Sequence, residues 1–139
     1  MNPDCLFCKI ADKTIPAKIV YEDDRTLAFL DVKPSAPGHT MVIPKYHAPT
    51  LGALPDEEVA PLFSAVKKVA GLLVAGLHSD GITIGVNQGR ASGQEIDHLH
   101  VHLIPRSHGD GGGSMQSVVH KASPEPLEEI AQKIKKAPL

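Results

Sequence analysis

Two short runs of strand-forming residues lie near the start of the chain, at residues 18–22 (KIVYE) and 26–31 (TLAFLD). Asp23-Asp24-Arg25 between them reads as a hairpin turn. After a rigid Pro/Gly loop at residues 34–38, residues 39–44 (HTMVIP) read as a third strand closed by Pro44. A helix start follows at residues 54–58 (LPDEE), with acids in the first turn facing the positive helix end. Val59, Leu62, Phe63, Val66, Val69, Ala70, Leu73 and Leu77 then recur at helical spacing, and Lys67 and Lys68 fall opposite. Pro61 lies in the first turns or kinks this helix. Residues 81–87 (GITIGVN) and 96–104 read as strands with a loop at 88–93 between them. Residues 109–113 (GDGGG) read as a flexible loop, and 124–136 as a C-terminal helix capped by Ser123. Strands, one long helix, more strands and a terminal helix predict an α+β fold on an antiparallel sheet. The whole chain, 1–139, reads as one domain without repeats.

Composition narrows the function classes. Hydrophobic residues are 42% and charged residues 22% of the 139, which excludes a disordered tail, a collagen and a disulfide scaffold. Fourteen basic residues against 16 acidic ones give a formal charge of −2, so nothing global favours a nucleic-acid polymer or an anionic membrane. Five aromatics and no Trp leave little for a base-stacking surface. No run reaches the roughly 18–20 apolar residues of a membrane span. The first ten residues lack a basic segment followed by an apolar run, so the expectation is a cytoplasmic protein without a signal peptide.

Chemistry concentrates in two places. In a strand His98, His100 and His102 share one face, while Leu99, Val101 and Leu103 face the core. Three imidazoles in a row suit a metal site or phosphate chemistry, where one ring attacks phosphorus and another stabilises its oxygens. An oxygenase barrel would want a Glu just after the second His, where Leu103 and Ile104 stand. The second place is Cys5-x-x-Cys8, which supplies two tetrahedral ligands and needs two more. His39, His47, His78, His98, His108 and His120 are the spare candidates; His78 reads as structural, and His108 and His120 as surface residues.

The pattern His-φ-His-φ-His-φ-φ, with φ apolar, resembles the signature of the histidine triad (HIT) family. Residues 5–47 resemble that family's N-terminal half, and Val86-Asn87-Gln88-Gly89 with Gly93-Gln94 resemble its loop before the triad. The likeness spans about residues 5–106. It implies a half-barrel antiparallel sheet with one long helix and a C-terminal helix, as a homodimer. It also implies cleavage at the α-phosphate of a nucleoside derivative, a purine by family expectation, through a nucleotidyl-histidine that water hydrolyses.

By this resemblance His100 is the nucleophile, and His102 and His39 contact the α-phosphate region. Asp31 binds the ribose hydroxyls, Asn87 lies near the nucleotide, and Gln94 reaches the scissile bridge or leaving group. The family's zinc-carrying branch implies a structural zinc on Cys5, Cys8, His47 and His98. Glu95 departs from a Ser that handles the leaving group in many relatives. Asp97 stands where an apolar, aromatic or Pro residue is usual; it either orients an imidazole or faces solvent. Two other classes stay open: a zinc metallohydrolase with a catalytic metal on the three histidines, and a nucleotide-binding partner protein with little turnover.

Overall fold

In the computed structural model, which describes residues 2–138, five strands form one open antiparallel sheet. They are β1 (Ile19–Glu22), β2 (Thr26–Leu30), β3 (Thr40–Pro44), β4 (Gly81–Gly85) and β5 (Val101–Arg106), in the order β1-β2-β3-β5-β4. Three helices accompany them: α1 (Leu6–Ala11), α2 (Asp56–Leu77) and α3 (Leu127–Lys135). The fold is the α+β arrangement that the pattern predicts.

The sheet is covered on both faces at its centre. Leu62, Ala65, Val66, Val69 and Leu73 of α2 pack with Ala28, Val42, Leu99, Val101 and Leu103 on one face. Phe7, Cys8, Ile10 and Ala11 of α1 pack with Leu27, Phe29, Met41 and Ile43 on the other. Double coverage is why β2 and β3 read as continuous apolar runs instead of alternating. The six-residue α1 lies outside every periodicity window; its residues are buried because they close this second face.

Several boundaries differ from the sequence reading. The last strand was expected over 96–104 but spans Val101–Arg106. Its final ladder pair with β3 is Val42↔Val101, and β3 then ends at Pro44. Residues 96–100 lack a regular neighbour and are tied instead by Leu99 N–H to the Ala48 carbonyl at 2.7 Å. Within β5 alternation holds, with Val101, Leu103 and Pro105 buried and His102, Ile104 and Arg106 half-buried.

The C-terminal helix begins at Leu127 behind Pro126, and the Ser123 hydroxyl bonds to the main chain of Glu125 instead of capping it. The GDGGG loop, expected to be flexible, is tied to the end of β5. The Asp110 carboxylate accepts from Arg106 Nε at 2.7 Å and Nη2 at 3.0 Å, and Arg106 Nη1 donates to the Gly113 carbonyl. Pro61 sits in the second turn of α2 without kinking it off the sheet. The Glu57 carbonyl, which an N–H at position 61 would engage, accepts from Arg25 Nη1 at 3.1 Å instead. α2 is, contrary to the run-length expectation, long and apolar enough to cross a bilayer, with a mean hydropathy of 1.5 over its best window. Its inner stripe is packed on the sheet.

Candidate active site

The loop from β2 to β3 is closed by Asp31 N–H on the His39 carbonyl at 2.9 Å. Gly38 within it has φ +83°, and a Cβ there would lie 2.2 Å from Leu77 Cδ1 and 3.3 Å from Pro105 Cγ. Only glycine lets this loop pass so close to α2 and β5, and that passage delivers the next residue, His39, beside His102.

His39 Nε2 lies 2.9 Å from His102 Nδ1, and the Ser35 N–H donates to His39 Nδ1 at 3.1 Å. A nitrogen that accepts from an amide carries no proton, so neutral His39 is protonated on Nε2 and donates to His102 Nδ1. The proton of neutral His102 therefore sits on Nε2. Asp31 Oδ2 stands 3.7 Å from His39 Nδ1. Burial pushes the His102 pKa down from 6.5 to about 4; His100 and His39 add to the fall and Asp31 opposes it. Burial also lowers His39, again against Asp31. Both rings are neutral at pH 7.

His100 uses its other nitrogen differently. Its Nδ1 is 2.6 Å from the His98 carbonyl oxygen, which can only accept, so the proton is on Nδ1 and Nε2 keeps its lone pair. Nε2 makes no hydrogen bond among the described residues. The His100 ring stands edge-on to His102 at a centroid distance of 4.9 Å.

His98 turns away from both. Its Nδ1 lies 3.5 Å from Cys5 Sγ and 3.7 Å from Cys8 Sγ, and His47 Nδ1 lies 3.4 Å from Cys8 Sγ. The donor atoms of Cys5, Cys8, His47 and His98 all fall within 4.8 Å of one another, a cluster able to hold a metal ion. His98 Nε2 donates to the Pro44 carbonyl at 2.8 Å, the outer contact that orients a ligating imidazole.

His100 and His102 line a hollow of about 360 Å3 with Asp31, Lys33, Asn87 and Phe7. A second hollow of about 260 Å3 adjoins it across Asn87 and His102, with His39, Val86, Met115 and Val118 in its wall. The site is thus two adjoining chambers that share one imidazole and one amide in their walls.

The HIT domain family matches residues 12–109. The chain belongs to the HIT family. A HIT-like protein of Methanocaldococcus jannaschii is 49% identical over 107 residues, 77% of this chain and 82% of that one. An adenosine 5'-monophosphoramidase of Schizosaccharomyces pombe is 37% identical over 135 residues, 94% of this chain and 98% of that one. The crystal structure of a HIT family member from Bacillus subtilis has a TM-score of 0.86 at 37% identity, covering 98% of each chain.

Of the residues that the HIT resemblance singled out, the fold brings Asp31, His39, Asn87, His100 and His102 around the two chambers, and Cys5, Cys8, His47 and His98 into the separate cluster. Gln94 lands elsewhere. Its side chain is 6% exposed, donates to the Pro49 and Ile96 carbonyls at 2.7 and 3.0 Å, and accepts from Gly89 N–H at 2.8 Å. Its bonds shape the loop from 88 to 96 and tie it to Pro49, so a reach to a scissile bond requires breaking them. Asp97 faces solvent, and both of its carboxylate oxygens accept from Arg90 Nη2 at 2.9 Å. Arg90 also donates to the Gln94 and Glu95 carbonyls, which makes it the clamp of this loop. Arg90, Ser35 and Phe7 shape the site and were absent from the sequence reading, since nothing in spacing marks a loop clamp, a main-chain donor or a wall residue.

Proposed function

We propose that this HIT protein is a nucleotide hydrolase that cleaves nucleoside phosphoramidates at the α-phosphate through a nucleotidyl-histidine on His100. The supporting observation is the His100 tautomer. With Nδ1–H donated to the His98 carbonyl at 2.6 Å, Nε2 keeps the lone pair a nucleophile needs. Attack forms an N–P bond, and the P–N bond to the leaving amine breaks as the amine takes up a proton from solvent. Water then attacks phosphorus and gives up a proton to solvent, and the His100 N–P bond breaks, which releases the nucleoside monophosphate and restores His100. The His102 Nε2–H, fixed through His39 and Ser35, is placed to donate to the phosphate oxygens as charge builds on them. Asp31 suits the ribose hydroxyls and Asn87 the phosphate end, while Gln94 keeps their loop in shape. The full-length likeness to a monophosphoramidase favours an amine leaving group and an adenine nucleotide.

The Cys5, Cys8, His47 and His98 cluster fits a structural zinc. Zinc bonds of about 2.3 Å to sulfur and about 2.0–2.1 Å to nitrogen put tetrahedral S and N ligands about 3.5 Å apart. The measured separations are 3.4, 3.5 and 3.7 Å. The ion would stabilise the buried thiolates, since burial alone pushes the Cys8 thiol up. A catalytic metal shared by all three histidines is disfavoured, because His98 Nδ1 faces the cysteines and His100 Nδ1 is held by main chain. We place the protein in the cytoplasm, where the thiols stay reduced. We also infer a homodimer: β4 is an unpaired sheet edge, and Ile84 and the outer α2 residues Phe63 and Val74 are exposed. No nucleic-acid polymer or membrane is proposed as a partner.

The test is turnover of adenosine 5'-phosphoramidate by the folded protein, with and without EDTA in the assay. Release of AMP that persists with chelator and disappears in His100→Ala supports the reading. Equal loss of AMP release on adding chelator favours the metallohydrolase, and tight binding without turnover favours a binding protein.

A further inference from the structure

The two residues enclosed by the cysteine pair, Leu6 and Phe7, both line the larger chamber. Phe7 is 4% exposed and lies between three rings. It stands edge-on to His100 at 5.2 Å with an interplanar angle of 86°, to His98 at 6.0 Å, and to Phe29 of β2 at 5.4 Å. Phe29 is itself buried and sits in β2, two residues before Asp31. The short helix α1 has no side-chain cap, so its place depends on the burial of Phe7, Cys8, Ile10 and Ala11 and on the two thiols beside His98 and His47.

His100 has one directional restraint of its own, the Nδ1 contact to the His98 carbonyl. A single hydrogen bond fixes a distance but leaves the ring free to swing about it. The two aromatic neighbours, Phe7 and His102, supply the missing restraint from two sides, since both stand near perpendicular to it. Of these, Phe7 is apolar and has no bond of its own to make.

We propose that Phe7 is a positioning residue for His100: braced by Phe29 and carried between Cys5 and Cys8, its ring holds the imidazole on the His98 carbonyl and so keeps Nε2 as the free nitrogen. The inference deepens the phosphoramidase reading and rests on His100 being the attacking group. Near-attack geometry is sensitive to displacements of an ångström, so loosening this ring lowers turnover about 10- to 100-fold. Phe7 also walls the chamber, so the Kd for a nucleotide is measured beside kcat to separate lost binding from lost chemistry.

The experiment uses full-length protein with its metal bound, as Phe7→Leu and, in case that variant folds poorly, Phe7→Met, which keeps more of the volume. Melting temperature and metal content establish that the variant is folded. Side-chain 15N NMR of the histidines then reports the His100 tautomer, and kcat and KM for adenosine 5'-phosphoramidate are measured beside the Kd for AMP. The expected result is a pure Nδ1–H pattern for His100 in the parent, a mixed or exchange-broadened pattern in the variants, and kcat down 10- to 100-fold, a larger change than that in Kd. An unchanged tautomer pattern overturns the proposal, whether or not kcat falls, because Phe7 then acts on something other than His100. Retained kcat within twofold overturns it as well. A tautomer change in variants of a parent that never turns the substrate over keeps Phe7 as the positioner and removes the phosphoramidase reading instead.

Discussion

His98 and His100 are two residues apart yet face different chemistry: the carbonyl of His98 receives the Nδ1 proton of His100 at 2.6 Å, while the His98 ring looks into the cysteine cluster. One residue therefore links the two centres. Its side chain belongs to the cluster able to hold a metal ion, and its main chain sets the tautomer of the neighbouring imidazole. A disturbance of the cluster reaches His100 through a single peptide unit.

The cluster is expected to carry about one zinc per chain, the capacity of one four-ligand site. Cys5→Ser and Cys8→Ser lower zinc content and melting temperature. The apolar face of α2 keeps the domain folded, so the loss stays short of the outright unfolding of small zinc-dependent folds. Metal analysis beside calorimetry checks this. A metal-free protein that melts where the loaded one does contradicts a structural site.

Stability falls with acid in a window to which His102 contributes beside His98 and His39, whose pKa values burial also lowers. The folded His102 pKa of about 4 lies below the ordinary 6.5, because burial and the neighbouring His100 and His39 disfavour its cation. The unfolded chain therefore binds the proton first as pH drops. The His102 contribution is complete above pH 6.5, declines between 6.5 and about 4, and is gone below. Urea midpoints measured across that range in the parent and in His102→Gln test this. The variant's profile is flatter; identical slopes rule out His102 as a source of the acid sensitivity.

Gln94→Ala removes three hydrogen bonds and leaves the Gly89 N–H and the Pro49 and Ile96 carbonyls without this partner. The expected cost is about 1–3 kcal/mol of stability. KM rises as the loop that carries Gly93 and Glu95 along the chamber loosens. Denaturation and steady-state kinetics together decide the role. A fall in kcat at unchanged stability assigns Gln94 to the leaving group after all.

Much of this was legible in the chain, for identifiable reasons. The α2 stripe from Leu62 to Leu73 announced itself because one helix face packs on one sheet face. The alternation of Leu99, Val101 and Leu103 with three histidines survived, although the strand starts later, because alternation follows the pleat and the boundary follows the hydrogen-bond partner lost at Pro44. The helix α1 was not legible: six residues are too few for a period, and its burial depends on Phe29, Met41 and Ile43, which lie 18 or more positions away. The hydrogen bonds of Gln94 were not legible because a side-chain amide's partners depend on which carbonyls the fold brings near it. Here Pro49, 45 positions away, is one of them.

The central claim is covalent chemistry at His100, and trapping the intermediate tests it most directly. The enzyme is mixed rapidly with adenosine phosphoramidate labelled at phosphorus, quenched without acid because the P–N bond is acid-labile, digested and mapped by mass spectrometry. The account predicts adenylate on the peptide containing His100, assigned to that residue, absent in His100→Ala and retained in His102→Gln with turnover slowed about 10²–10³-fold. Adenylate on another residue, or substantial turnover by His100→Ala, contradicts it.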